Sequence, residues 1–255
     1  MIRLNRPPSP SCLAPNEAQR LTEEYKQTGK SVWNFEDLKQ ALLATSYQKC
    51  AYCECRLSIE GKYVEVEHFL DKVRHPDHVV SWQNLLPSCK RCNGEKGGHD
   101  TVADPIMNPY RDNPQEHLSL NLYRLRGTTR VGETTREVLN LNDPDRMVKA
   151  RFEIGEKLQE SLLTTLDGLR KYRDDRTTRN RNRLVTQVRQ LLLECAPSSA
   201  YAATCATVLH NSQDYLEINR KLAALNLWSA ELEELHLQSL GLVLRTRQPQ
   251  AIVHT

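Results

Sequence analysis

The sequence predicts an α+β protein that is predominantly helical, with a small cysteine-bracketed strand-and-helix module ahead of a C-terminal helical domain. Three observations carry this. Two C-x-x-C pairs, Cys50/Cys53 and Cys89/Cys92, enclose the middle of the first half. Between them, residues 63–67 alternate as a strand does, with Val64 and Val66 on one face and Glu65 and Glu67 on the other. From about Met147, apolar residues recur at helical spacing: Phe152, Leu158, Leu162, Leu166 and Leu169, then Leu184, Val188, Leu191 and Leu192.

Residues 1–34 read as an irregular arm, because Pro7, Pro8, Pro10 and Pro15 oppose a regular helix. A helix follows, with Asn34 as N-cap, Asp37 in its first turn, and Leu38, Ala41 and Leu42 on one face. Residues 57–59 and 63–67 read as two short strands of a hairpin joined by Glu60-Gly61-Lys62. A loop with Pro76 and Asp77 leads to Trp82-Gln83-Asn84 and the second cysteine pair. After Cys92 a short helix ends at Gly97-Gly98. The expected local order is strand, strand, loop, helix. This places a first domain at 35–112, a mixed connecting segment at 113–145, and the helical domain at 146–255, where residues 216–240 add a third helical stretch.

Composition narrows the class. Hydrophobic residues make up 39% and charged residues 26% of 255, a folded balance rather than a disordered one. No apolar run approaches the ~20 residues of a membrane span, and the start lacks a secretory apolar stretch. A cytoplasmic protein without membrane contact is expected. The net charge of +3 neither requires nor excludes nucleic acid. Of eight cysteines, Cys12, Cys55, Cys195 and Cys205 show no pairing pattern, so one metal site in a reducing compartment explains the set better than disulfides.

Two residues between cysteines let both thiolates face one ion, and four thiolates make the closed tetrahedral site of structural zinc. The 35 residues between the pairs are more than a ribbon needs, so the ion would clamp a whole inserted subdomain. The alternatives are coincidental buried thiols, or a redox pair, which would want a strand–C-x-x-C–helix setting.

Glu67-His68 ends the second strand, Asn84 precedes the second pair, and Asn93 follows it. Phosphodiester hydrolysis needs a base to activate water and a hard divalent ion to stabilise charge on the phosphate and leaving oxygen. Glu67 and Asn93 carry oxygens suited to magnesium or manganese, and His68 can serve as base near neutral pH. The bland readings are a strand-end histidine, a solvated glutamate, a turn asparagine at 84 and a helix-capping asparagine at 93.

In C-A-Y-C, V-E-V-E-H-F, W-Q-N-L-L-P-S-C and K-R-C-N-G-E-K-G, over residues 50–98, the chain resembles the HNH nucleases. That resemblance implies a zinc-stabilised ββα-metal core. It makes His68 the general base, Glu67 and Asn93 the ligands of a catalytic Mg2+ or Mn2+, Asn84 the residue that pins the loop and orients His68, and Lys96 a phosphate contact. Many members carry another histidine four residues after the second ligand. Here that position is Gly97, and His99 is the nearest substitute.

Over residues 1–150 the chain is also similar to one HNH subfamily, the PtuB-type nucleases of Septu anti-phage defence. The matching features are K-C-A-Y-C-E, E-V-E-H-F, C-N-G-E-K-G, D-P-I-M-N-P and G-E-T-T-R-E-V-L-N-L-N. That implies a PtuA-type ATPase partner and, in some relatives, a retron reverse transcriptase and its nucleic acid. The expected function is therefore a metal-dependent endonuclease, on DNA first and RNA second, acting within a defence complex. The alternative is a non-catalytic zinc-ribbon nucleic-acid-binding or adaptor subunit. The run Arg170, Lys171, Arg173, Arg176, Arg179, Arg181, Arg183 and Arg189 reads as a solvated face, with nucleic-acid contact and partner docking as rival readings.

Overall fold

The computed structural model describes residues 1–57 and 63–246. The chain forms two compact units, Met1–Leu118 with Arg126–Asn142, and Ser119–Leu125 with Asp143–Thr255.

In the first unit the N-terminal segment is not the irregular arm expected from its prolines. Helix α1 spans Pro15–Thr28, with Pro15 at its first position. There the missing N–H has no helical partner to lose, so proline starts the helix rather than blocking it. The helix stops at Gly29, whose φ of 67° is left-handed and whose N–H donates to the Tyr25 carbonyl. Helix α2 spans Glu36–Thr45 and is entered from Phe35, so Asn34 is not its cap. Glu36 and Asp37 in the first turn suit the positive end of the helix dipole. Leu38 and Leu42 are fully buried, against Val66, Val79, Trp82 and Leu85.

Strand β1, Val64–His68, pairs antiparallel with β2, Leu85–Cys89, in the register Val64 to Cys89 and His68 to Leu85. The hairpin expected around Glu60-Gly61-Lys62 falls outside the described residues. Among the described residues the partner of β1 is β2, so the order is strand, loop, strand, helix. Alternation identifies a strand but not its neighbour. Helix α3, Lys90–Lys96, follows β2 without a linker. It ends where Gly97 turns to φ 50°, its N–H donating to the Asn93 carbonyl. Helix α4 (Pro114–His117), strands β3 (Leu118–Asn121) and β4 (Arg124–Gly127), and helix α5 (Arg130–Val138) follow, with β3 and β4 paired as a separate sheet. Gly132 on α5 is obligatory, because a Cβ there would sit 1.9 Å from the His117 carbonyl oxygen.

The second unit is mainly helical, and it includes Ser119–Leu125 of the β3–β4 hairpin. A single π turn, Pro144–Val148, leads into α6, Lys149–Asp174. Helices α7 (Thr178–Glu194), α8 (Ala202–His210), α9 (Gln213–Ala224) and α10 (Ala230–Leu240) complete it. The leucines anticipated on α6 and α7 form its core with Ile218 and Leu222 of α9. Phe152 does not join them. It is half-exposed and packs edge-to-face on Tyr123, ring centroids 5.5 Å apart. The stretch at 216–240 is two helices, and α8 is buried mainly through small side chains such as Ala202, Ala203 and Ala206. Among the described residues no helix is long and apolar enough to cross a membrane.

Candidate active site and metal centre

Two short segments bring four thiols together. Cys50 and Cys53 lie in a tight turn flanked by the Lys49–Arg56 bridge and closed by Cys50 N–H donating to the Cys55 carbonyl at 2.9 Å. Cys89 ends β2 and caps α3, its sulfur accepting from the Cys92 N–H. Ala51 N–H donates to the Pro87 carbonyl of β2 at 2.9 Å, which joins the turn of the first pair to the strand that carries the second. The four sulfurs all lie within 4.8 Å of one another, and Cys53 and Cys89 are 3.8 Å apart. A tetrahedron with metal–sulfur bonds of about 2.3 Å has sulfur–sulfur edges of about 3.8 Å, so this cluster can hold one metal ion such as zinc. All eight cysteines are free thiols. Cys55, which showed no pairing pattern, is buried in the same turn.

His68 ends β1, almost wholly buried. Its Nε2 lies 2.8 Å from the Val79 carbonyl oxygen, which can only accept. Nε2 therefore carries the proton, and the neutral ring presents Nδ1 as an acceptor. Trp33 packs edge-to-face on the imidazole, centroids 4.5 Å apart, and fixes the ring plane. Burial pushes the His68 pKa down to about 4; the Val79 carbonyl opposes this, and Lys72 and Lys96 add to it. At neutral pH the ring is in its basic form.

Glu67 is buried beside it, with Oε1 2.7 Å from Lys96 Nζ. Burial pushes the Glu67 carboxyl up to about 7, against the pull of Lys96. Lys96 Nζ also donates to the His68 carbonyl at 2.7 Å. Lys96 is thus neither a solvated helix residue nor positioned as a phosphate contact: it is 2% exposed and engaged with Glu67. Lys72 is half-exposed and acts electrostatically on both Glu67 and His68.

Asn84 bridges the loop after β1. Its Oδ1 accepts from Leu70 N–H at 2.6 Å, and its Nδ2 donates to the carbonyls of Leu70 and His78. Its own carbonyl accepts from Phe69 N–H. The loop that these bonds hold also contains Val79, the acceptor for His68.

Asn93 is half-buried on α3, three residues before Lys96 and so on the same helical face. It does not cap the helix, a role taken by Cys89. No ion pair occupies Glu67 Oε2 among the described residues, and the Asn93 amide has no side-chain partner there. A carboxylate oxygen and an amide oxygen are donor types that a hard divalent ion takes. His99 is engaged elsewhere, its Nε2 2.7 Å from the Asp104 carbonyl. Among the described residues the four cysteines are the one cluster of three or more metal-binding side chains.

No protein-family model matches the chain. It is 45% identical over 237 residues to the Septu protein PtuB of Bacillus thuringiensis, covering 92% of each. The chain belongs to the PtuB family of Septu proteins. A second PtuB, from Bacillus mycoides strain KBAB4, is 26% identical over 52% of this chain and 56% of the relative. The protein ea31 of Escherichia phage lambda is 35% identical over 74 residues, 28% of this chain and 24% of its own length.

Three features of this PtuB-family site escaped sequence reading. Trp33 gave no local signal, because its contact with His68 is tertiary. The Lys96–Glu67 pair was hidden because a lysine in a short helix reads as solvated. Arg74 joins Asp71 (3.1 Å) to the Gly98 carbonyl (2.6 Å), tying the loop after β1 to the end of α3. The D-x-x-R spacing of Asp71 and Arg74 was the one available clue.

Proposed function

We propose that this PtuB-family chain is a metal-dependent HNH endonuclease of a Septu-type antiviral defence system, cutting phosphodiester bonds of nucleic acid. The observation that carries the reading is the state of His68: buried, neutral, its Nε2–H held by the Val79 carbonyl and its Nδ1 left as a base, directly after a carboxylate. Helix α3, which packs against β1, supplies Asn93.

In this reading the chain's own groups divide the work. His68 Nδ1 takes a proton from the attacking water. Trp33 and the loop bonded by Asn84 hold the ring while it does so. Glu67 and Asn93 hold the catalytic Mg2+ or Mn2+, which supplies Lewis-acid stabilisation of the phosphate and leaving oxygen. Lys96 pairs with the buried Glu67 at 2.7 Å and opposes the upward push that burial gives its carboxyl. The four cysteines hold structural Zn2+, which keeps β2 and α3 against the first turn and takes no part in the chemistry. DNA is the first substrate class and RNA the second. The partner is a PtuA-type ATPase, with a retron reverse transcriptase and its nucleic acid as a further component in some systems.

One observation favours a second reading, a non-catalytic zinc-ribbon or adaptor subunit: Lys96 already neutralises the one buried carboxylate of the site. The two readings separate in one experiment. Wild type and His68→Ala are incubated with supercoiled plasmid and with a tRNA pool, in magnesium or manganese and with EDTA, with and without the co-expressed ATPase. The nuclease reading expects metal-dependent cutting by wild type that His68→Ala lacks while remaining folded and zinc-loaded. Equal cutting by both would remove His68 as base, and no cutting in any arm would favour the adaptor.

A further inference from the structure

We propose that the α6–α7 hairpin tip of the helical unit is a nucleic-acid backbone-binding surface, carried by Arg176, Arg179, Arg181 and Arg183. The choice of nucleic acid over another polyanion rests on the nuclease reading above; the anion-binding character does not. Residues 170–189 hold eight basic and two acidic side chains, a local charge of +6, while the whole chain carries +3. The remaining 235 residues are therefore net negative, and the positive charge of the protein is concentrated on one hairpin.

An ordinary solvated face would neutralise itself, and part of this one does. Arg170 pairs with Asp167, Arg173 with Asp174, and Arg189 with Glu231. Lys171 and Arg173 in the last turn of α6 suit the negative end of its dipole. Asp175 is taken by Asn180, whose Nδ2 donates to it at 3.0 Å. Neither acid of the tip forms an ion pair with Arg176, Arg179, Arg181 or Arg183. Arg176, Arg179, Arg181 and Arg183 are exposed and have no acidic partner among the described residues; Arg181 touches only the neutral Asn182 amide.

Their position opposes stability. Arg179 and Arg181 lie in the first turn of α7, beside the positive end of its dipole, in a helix with no acidic residue there. Selection for helix stability would place acids at these sites. Four exposed cations without ion-pair partners, beside a helix N-terminus, form an electropositive tip whose natural counter-charge is an external anion. Seven of the eight basic residues are arginine, the side chain whose planar fork matches phosphate oxygens in pairs, whereas a merely soluble surface has no need of that geometry. Arg179 and Arg183 are four apart and share one helical face, so they can engage one backbone together. No base-reading pattern accompanies them, so the contact is with phosphates and is indifferent to sequence.

The test uses the full-length, zinc-loaded, reduced chain without added magnesium or manganese. Fluorescence anisotropy follows binding to a labelled 24-base-pair DNA duplex and to a 24-nucleotide RNA over a salt series. The variant is Arg176→Glu/Arg179→Glu/Arg183→Glu. Glutamate complements the α7 dipole, so this protein is expected to melt no lower than wild type. A control, Lys157→Glu/Arg220→Glu/Lys221→Glu, makes the same change in net charge at exposed sites elsewhere in the unit. The proposal expects the hairpin variant to bind at least ~10-fold more weakly near 0.1 M salt, with a log–log salt slope shallower by about 2–3, as loss of three phosphate contacts requires. The control should stay within ~3-fold, and the triple Arg→Lys variant should keep most of the salt slope. Unchanged binding by the hairpin variant, or an equal loss in the control, overturns the proposal. So does the absence of salt-dependent binding by wild type, which would leave an acidic protein surface as the hairpin's partner. The two readings fail separately: cleavage that survives His68→Ala removes the nuclease assignment without touching hairpin affinity, and hairpin-independent binding by an active nuclease removes only this inference.

Discussion

The two units of this chain are stabilised by different means. The helical unit has a continuous apolar core of leucines from α6 and α7 with Ile218 and Leu222, repeated at helical spacing. The first unit buries Glu67, His68, Asn84 and Lys96 around two five-residue strands and a seven-residue helix, with four thiols at the junction. Elements so short do not hold together by themselves. Buried polar contacts and four thiols that can hold a metal ion add to the apolar cluster of Leu38, Leu42, Val66, Val79, Trp82 and Leu85 around the site.

The largest test of that contrast is metal removal. Chelation, or Cys92→Ser, should abolish zinc binding and unfold the β1–β2–α3 module while the helical unit keeps its structure. Thermal melts followed by circular dichroism should then resolve two transitions where the loaded protein has a more cooperative one; loss of all helicity in one step would contradict separate stabilisation. Next comes Leu162→Ala on α6, which should destabilise the helical unit by about 2–5 kcal/mol and leave zinc content unchanged. Removing one partner of the buried ion pair should act on the other unit by about 3 kcal/mol. Lys96→Met is the variant, and the double change with Glu67→Gln should recover part of the loss, because no unpaired charge is then buried. Denaturant titration would check both, and equal loss in single and double variants would deny that the pair is a unit.

The smallest expected effect is a pH dependence in the helical unit. Burial holds the His210 pKa down to about 4, with His236 contributing in the same direction. The unfolded chain, with an ordinary histidine near ~6.5, binds the proton more readily. Stability from this group is therefore full above about 6.5 and is lost as pH falls towards 4, on the order of 1 kcal/mol because the ring is partly exposed. Replacing it by His210→Gln should flatten that part of the melting-temperature profile.

What the sequence made legible follows the same division. The leucine stripes of α6 and α7 and the cysteine pairs are encoded by local spacing and sit where that spacing puts them, and Glu67-His68 ends a strand as its alternation expects. Features set by tertiary neighbours were not legible. Alternation marked β1 as a strand but could not name β2 as its partner. Pro15 was counted as a helix breaker because its meaning depends on whether it stands inside a helix or at its first position. Lys96 reads as solvated until α3 is folded against β1, 28 residues earlier, where its ammonium meets the His68 carbonyl and Glu67. The site is thus half motif and half packing, and the packing half decides which form His68 takes.

The most direct test is metal-dependent cleavage of plasmid and tRNA by the intact, zinc-loaded protein, comparing wild type with His68→Ala in the presence of the proposed ATPase partner. A loss of at least ~100-fold in rate, with zinc content and melting temperature preserved, is the result expected of a positioned general base. Cleavage by His68→Ala at the wild-type rate would contradict it.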